Sequence, residues 1–231
     1  MVDSLFAELG KSESDTQRII LRAQIGEQVP ILRIGYWDSL RIDAAKFEMK
    51  RIEAQSINNM GYVYDDEGNI PKAIEYYQEG LKRREALGDR YGIAESLNNL
   101  SINYERQGDI PNALDYQFRA LKIQEEIGDS SGISRSLLNI AHIYEDQDET
   151  GKALEYYSNS LDIAQSIGDL TLVGTVLNNY GLIMRMEGSA LPYGREIHYM
   201  PLQLRNLHRH WRSSKKPGTT RALQQFTRIL E

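Results

Sequence analysis

The stretch LNNLSINYERQGDIPNALDY, Leu97–Tyr116, has two near-copies in the same chain. Ile57–Tyr76 reads INNMGYVYDDEGNIPKAIEY and Leu137–Tyr156 reads LLNIAHIYEDQDETGKALEY, each 40 residues from its neighbour. The same interval separates LGD at Leu87–Asp89 from IGD at Ile127–Asp129 and at Ile167–Asp169. Self-similarity at a period of 20–50 residues signals a solenoid, propeller or array. Three units follow, 53–92, 93–132 and 133–172, and VGTVLNNYGLIMRMEG at 173–188 reads as the first helix of a fourth.

Each unit reads as two helices. Ile57, Met60, Gly61 and Tyr64 recur at i, i+3, i+4 and i+7, which is one stripe of a helix. Gly68 offers the left-handed conformation that ends it, Asn69 is an N-cap, and Pro71 sits in the next first turn, where its missing N–H costs nothing. The second helix carries Ala73, Tyr77, Gly80 and Leu81 and stops at Gly88. The middle unit repeats this punctuation with Gly108, Asp109, Pro111 and Gly128. The third replaces the glycine by Asp148 and the proline by Gly151, so a looser turn is expected there. Gly61, Ser101, Ala141 and Gly181 share one register, and Ala73, Ala113 and Ala153 another. Small side chains at these points let two helices of a hairpin approach closely.

These residues resemble the tetratricopeptide repeat. The family pattern maps onto Ile57, Met60, Gly61, Tyr64, Gly68, Ala73, Tyr77 and Gly80, and again onto Leu97, Leu100, Ser101, Tyr104, Gly108, Ala113 and Ala120, with Gln117 breaking the aromatic position. The usual repeat has about 34 residues, so the helices here are longer. That long form, with an Asn-Asn pair, resembles kinesin light chains, the Pins/LGN polarity scaffolds and the sensing regions of bacterial histidine kinases and cyclases. The resemblance implies an all-α solenoid of antiparallel helical hairpins wound into a right-handed superhelix. It implies a non-catalytic scaffold that binds a peptide segment or partner protein in a concave groove and needs no cofactor. The alternative it leaves is the sensing region of a signalling enzyme whose catalytic domain lies elsewhere. Residues 1–52 lack the Gly and Ala signatures and read as a degenerate helical capping pair, its first helix opening at Ser14-Asp15.

The groove of such a stack is lined by first helices. The face opposite the core stripe holds Gln55, Asn58, Tyr62, Asp65 and Asp66 in the first unit, then Glu95, Asn98, Ile102, Glu105 and Arg106. The third unit places Arg135, Leu138, His142, Glu145 and Asp146 there, and the fourth Thr175, Asn178, Leu182, Arg185 and Met186. In the related scaffolds concave asparagines hold a peptide backbone, a role that carries over to Asn58, Asn98 and Asn178. Asn59, Asn99, Asn139 and Asn179 stand beside them, either as ligand contacts or as bonds fixing the repeat spacing, since mid-helix asparagine needs a reason. Six acidic and three basic residues on this face favour a basic or mixed-charge peptide.

Other functions find little support. With no cysteine, there is no disulfide, thiol nucleophile or thiolate zinc site. His142 has no nucleophile motif near it, and His208 and His210 face apart on a helix. EGN and QGD are interhelix turns, not phosphate-binding loops. No apolar run approaches the ~20 residues of a membrane span, and the N-terminus lacks a basic start followed by an apolar stretch, so a cytoplasmic location is expected.

Residues 189–231 break the period. They carry eight basic and two acidic residues, which leaves 19 basic and 31 acidic residues, a net charge of −12, for residues 1–188. Leu204, Leu207 and Trp211 keep helical spacing, as do Leu223, Phe226 and Leu230. The tail reads as a divergent C-terminal cap, as a non-native end left by truncation or a frame slip, or as a basic contact through RHWRSSKK for nucleic acid or an acidic membrane. Nucleic acid is the least favoured partner, and binding to it would show as strongly salt-dependent affinity.

Overall fold

The computed structural model describes residues 2–29 and 33–188. Ten helices lie among them: α1 Val2–Lys11, α2 Asp15–Gln28, α3 Ile34–Lys46, α4 Lys50–Asp66, α5 Ile70–Ala86, α6 Arg90–Arg106, α7 Ile110–Ile127, α8 Ser130–Asp146, α9 Thr150–Ser166 and α10 Leu170–Gly188. No strand occurs among the described residues. The fold is all-α, an array of antiparallel helical hairpins. The tail triplets from Leu204 to Leu230 lie outside the described residues, as does the side chain of Arg185.

First helices start at residues 50, 90, 130 and 170, so the 40-residue period of the sequence is a period of helix starts. The LGD and IGD motifs create the last three of those starts; the first, after Met49, has no side-chain cap. Asp89 accepts a hydrogen bond from the Gly92 N–H at 3.3 Å, and Asp129 one from Gly132 at 2.9 Å. Asp169 accepts from Leu172 at 2.9 Å. Each carboxylate thus satisfies one of the unpaired donors at a helix N-terminus, worth about 1 kcal/mol. Ser14 caps α2 in the same way, accepting from Gln17 at 3.4 Å.

The third hairpin turn is not looser. Asp148 takes the left-handed conformation (φ 57°) that Gly108 takes in the preceding repeat (φ 78°). The turn bonds match: Glu149 N–H donates to the Tyr144 carbonyl at 2.9 Å, as Asp109 does to Tyr104 at 2.9 Å. Aspartate is among the few side chains that tolerate this region, so the backbone follows the same path with Asp148 as with Gly108. The loss falls elsewhere, because Glu149 makes no side-chain capping bond.

The chain divides into two compact units, residues 1–123 and 124–231. In the first, successive helices pack on one another from α1 to α6. Trp37, Leu40, Ala44 and Met60 form one core with Ile19 and Ala23, and Tyr77, Leu97 and Leu100 anchor a second. The small-residue registers mark the close approaches: a Cβ on Gly61 would lie 2.8 Å from the Tyr77 ring. Ser101 Oγ donates to the Ala113 carbonyl at 2.8 Å, and Ala113 is wholly buried. The N-terminal region holds the pair α2 and α3, preceded by α1, none of whose residues is buried. Trp37 stands 40 positions before Tyr77 and packs where Gly26 leaves room for its indole.

The second unit packs α8 on α9 and α9 on α10. Ala141, Ala153, Tyr157 and Leu161 meet Val176 and Leu177 in its core. Stacked tyrosine pairs recur at the hairpin turns. Tyr64–Tyr76 and Tyr104–Tyr116 lie in the first unit, each with centroids 5.3 Å apart, and Tyr144–Tyr156 lies in the second.

Candidate functional site

In the first unit α4 turns Arg51, Gln55, Asn59 and Tyr62 into a recess of about 590 Å³. The spacing i, i+4, i+8, i+11 is one face of a helix. The other walls are Gly26, Glu27 and Val29 of the α2 end, Trp37 of α3, Arg84 of α5, and Asp89, Tyr91, Gly92 and Glu95 around the α6 start. Tyr62 and Tyr91 are 49% and 60% exposed at its rim. Gln55 reaches across to Glu27 at 2.6 Å.

This register corrects the asparagine assignment. Asn58 is 3% exposed, and its Oδ1 accepts from Ser96 Oγ at 3.2 Å, so it ties α4 to α6 in the interior. Asn59 faces the recess instead. Asn98 is half-buried and accepts from Gln117 Nε2 at 3.0 Å. The side chains of Asn59 and Asn99 are half-buried and have no hydrogen-bond partner among the described residues. Asp65 and Arg106 form an ion pair between α4 and α6, Asp66 is exposed and Glu105 is half-buried.

In the second unit Arg135 donates to Ser131 Oγ at 2.9 Å and Asp146 is exposed. His142 joins three helices. The Tyr157 hydroxyl donates to Glu145 at 2.5 Å and lies 3.0 Å from His142 Nδ1. Asn179 Nδ2 donates to Nε2 at 3.0 Å, and Asn178 donates to Asn179 Oδ1 at 3.4 Å. The network suits the Nδ1–H tautomer, with Nε2 accepting. His142 is therefore a structural link here. No group of three metal-ligating side chains occurs among the described residues.

Arg84 is the residue that sequence reasoning missed. It is 4% exposed, yet it lines the recess. Its Nη1 donates to the Gly92 carbonyl and to Ser96 Oγ, both at 2.8 Å, and its Nη2 meets Glu95 at 2.7 Å. A Cβ on Gly92 would lie 2.8 Å from the Arg84 side chain, so that glycine makes room for it. In the second unit Gln124 holds the same register beside Gly132 and Ser136, accepting from Ser136 at 2.7 Å. The next positions in that register are Ala164, Leu172 and Val176, all apolar and buried. The covarying triplet was the available signal.

A periodic stack of helical hairpins with a polar recess defines a repeat protein of the helical-hairpin class. Residues 52–126 match one tetratricopeptide repeat family model and residues 134–167 match a second. The chain is a tetratricopeptide repeat protein. No curated protein matches it. Among solved structures it is similar to a Rap protein complexed with Competence and Sporulation Factor, at 17% identity and TM-score 0.70, covering 99% of this chain and 67% of that one. It is similar to aspartyl phosphate phosphatase F from Bacillus subtilis, at 15% identity and TM-score 0.68, covering 96% of this chain and 61% of that one. Kinesin light chain TPR-like repeats from Podosopora anserina align at 12% identity and TM-score 0.62, covering 89% of this chain and all of theirs. At such identities the likeness shows the fold alone. No helix among the described residues is long and apolar enough to cross a membrane.

Proposed function

We propose that the chain is a non-catalytic scaffold that binds a peptide segment or partner protein on the recessed face of its first helices. The observation that carries this reading is the pair of half-buried, unpartnered amides of Asn59 and Asn99. Each offers donors and an acceptor at the spacing of successive first helices, which suits the main chain of an extended peptide. The recess beside them mixes Arg51 and Arg84 with Glu27, Asp89 and Glu95, which suits a mixed-charge segment. A cytoplasmic location belongs to the same reading.

The second reading is the sensing part of a bacterial signalling protein. The similarity to a Rap protein complexed with Competence and Sporulation Factor favours keeping it. Both readings use the same groove. They part on whether the bound segment is a diffusible peptide or belongs to a domain of a larger protein.

The test is calorimetry with a peptide selected on the intact chain from a random display library. Asn59→Ala and Asn99→Ala should each weaken binding by about 1 kcal/mol, the net worth of one hydrogen bond, with little change in Tm. Unaltered affinity in the double variant would remove the groove reading.

A further inference from the structure

The fold does not require a histidine at position 142. Tyr62, Ile102 and Leu182 hold the same register at 40-residue intervals, so an aromatic or an aliphatic side chain serves there too. An imidazole adds one property, a change of charge between pH 5 and 8. The His142 side chain is 42% exposed, so water delivers the proton.

The contacts specify the neutral ring. The Tyr157 hydroxyl gives its proton to Glu145 at 2.5 Å, and its oxygen then accepts from Nδ1–H at 3.0 Å. Nε2 is left with a lone pair, and Asn179 Nδ2 donates to it at 3.0 Å. Asn179 Oδ1 in turn accepts from Asn178 Nδ2 at 3.4 Å. The Tyr157 ring stands edge-on to the imidazole, with centroids 5.6 Å apart, and helps to hold it. The Glu145 carboxylate on α8 lies 3.7 Å from Nδ1. Arg135 on α8 is turned to Ser131, and Asp146 is exposed. On α9 Lys152 pairs with Glu149, and Glu155 and Asp162 are exposed, so Tyr157 is the titratable group that faces the ring. Leu170–Ile183 of α10 carry no charged side chain.

A proton on Nε2 breaks this order. Nε2–H then opposes the Asn179 Nδ2–H across 3.0 Å, donor against donor. The ring is held by Tyr157, whereas a carboxamide turns about one broad, two-fold torsion. Turned over, Asn179 Oδ1 accepts from the imidazolium. A hydrogen bond to a charged group is worth more than the long, neutral Asn178 bond that is lost. Asn178 then meets an N–H in place of a carbonyl and comes free.

We propose that His142 is a pH-operated latch: its protonation turns over the Asn179 amide and releases the Asn178 amide. The consequence for binding rests on the groove reading above, since Asn178 and Asn179 hold the registers of Asn98 and Asn99. In neutral solution α10 keeps both amides to itself. In acid it offers one to a peptide backbone, so affinity rises as pH falls.

NMR on the full chain at pH 8 and pH 5 reads the latch. The His142 ring nitrogens report tautomer and charge, and NOEs from the Asn179 Nδ2 protons to the ring report the orientation of the amide. The ring should be Nδ1–H at pH 8 and doubly protonated at pH 5, and the NOEs should disappear between the two. Tyr157→Phe removes the acceptor that fixes the tautomer. Part of the ring should then carry its proton on Nε2 at pH 8, with the amide already turned, an effect that a merely structural histidine would not show. The library-selected peptide should bind about fivefold more tightly at pH 5 than at pH 8, the scale of one hydrogen bond. His142→Gln, which keeps an acceptor for Asn179 and does not titrate, should remove that gain, as should Asn178→Ala.

An amide that keeps its orientation while His142 titrates, a ring still neutral at pH 5, or a gain in acid no larger than that of His142→Gln would overturn the proposal. If Asn59→Ala and Asn99→Ala leave the peptide unaffected while the NOEs still switch with pH, the groove reading falls and the latch stands.

Discussion

Ser96 Oγ donates to Asn58 Oδ1 at 3.2 Å while accepting from Arg84 Nη1 at 2.8 Å, so one hydroxyl joins α4, α5 and α6. Asn58 is consequently part of the interior. Asn58→Ala should cost about 1–2 kcal/mol in a urea melt, because it strands a buried partner, and should leave peptide affinity unchanged. Asn59→Ala, one residue on, should show the opposite pattern. Identical behaviour of the two variants would contradict the register described for α4.

Ala113 is wholly buried, with Ser101 Oγ 2.8 Å from its carbonyl. Ala113→Leu forces a larger side chain into a fully buried contact of its hairpin and should cost about 1–3 kcal/mol. Chemical denaturation measures this directly, and an unchanged midpoint would mean that α6 and α7 are farther apart than the structure has them.

Asp148 holds a φ of 57°. Asn there should be close to neutral. Asp148→Val should lose about 1–2 kcal/mol, since a β-branched side chain in the left-handed region is strained. The comparison of the two variants by thermal melting separates backbone strain from loss of charge.

Burial pushes the Tyr77 phenol well above its ordinary range, with the Asp65 carboxylate adding to the effect, and burial raises Tyr180 as well. In the unfolded chain these phenols ionise near pH 10. Above that pH the unfolded state holds fewer protons than the native state, so stability is full below about pH 10 and falls as pH rises beyond it. Urea melts at pH 8 and pH 11 should show this loss, and Tyr77→Phe should recover part of it. A Tyr77→Phe protein as alkali-sensitive as the parent would assign the loss to other groups.

The helix boundaries were legible because they are written in local chemistry. Asp89, Asp129 and Asp169 cap helices wherever the motif occurs, and glycine before them turns the chain. The close-packing registers were legible for the same reason, since Gly61 and Ala113 are small where large side chains would collide. The asparagine register was not. Residues 58 and 59 differ by about 100° around a helix, and which one faces the recess depends on how α2, α3 and α6 rotate α4 between them. Arg84 was hidden for another reason. An arginine in the last turn of a helix reads as a solvated cation that complements the helix dipole. Only its spacing to Gly92 and Ser96, set beside Gln124, Gly132 and Ser136, betrays that it points inward.

The register of Ala44, Arg84, Gln124 and Ala164 recurs every 40 residues and holds three different side-chain types inside the same helical repeat. Such a position lets the buried chemistry drift while the architecture stands still. A lineage can rewrite the interior of a given repeat with two or three coordinated substitutions, at the buried position, at the glycine eight residues on and at the serine four further. Caps, turns and the tyrosine stacks would not need to change. Diversification in this chain would then proceed like changing type in a fixed press, one repeat at a time.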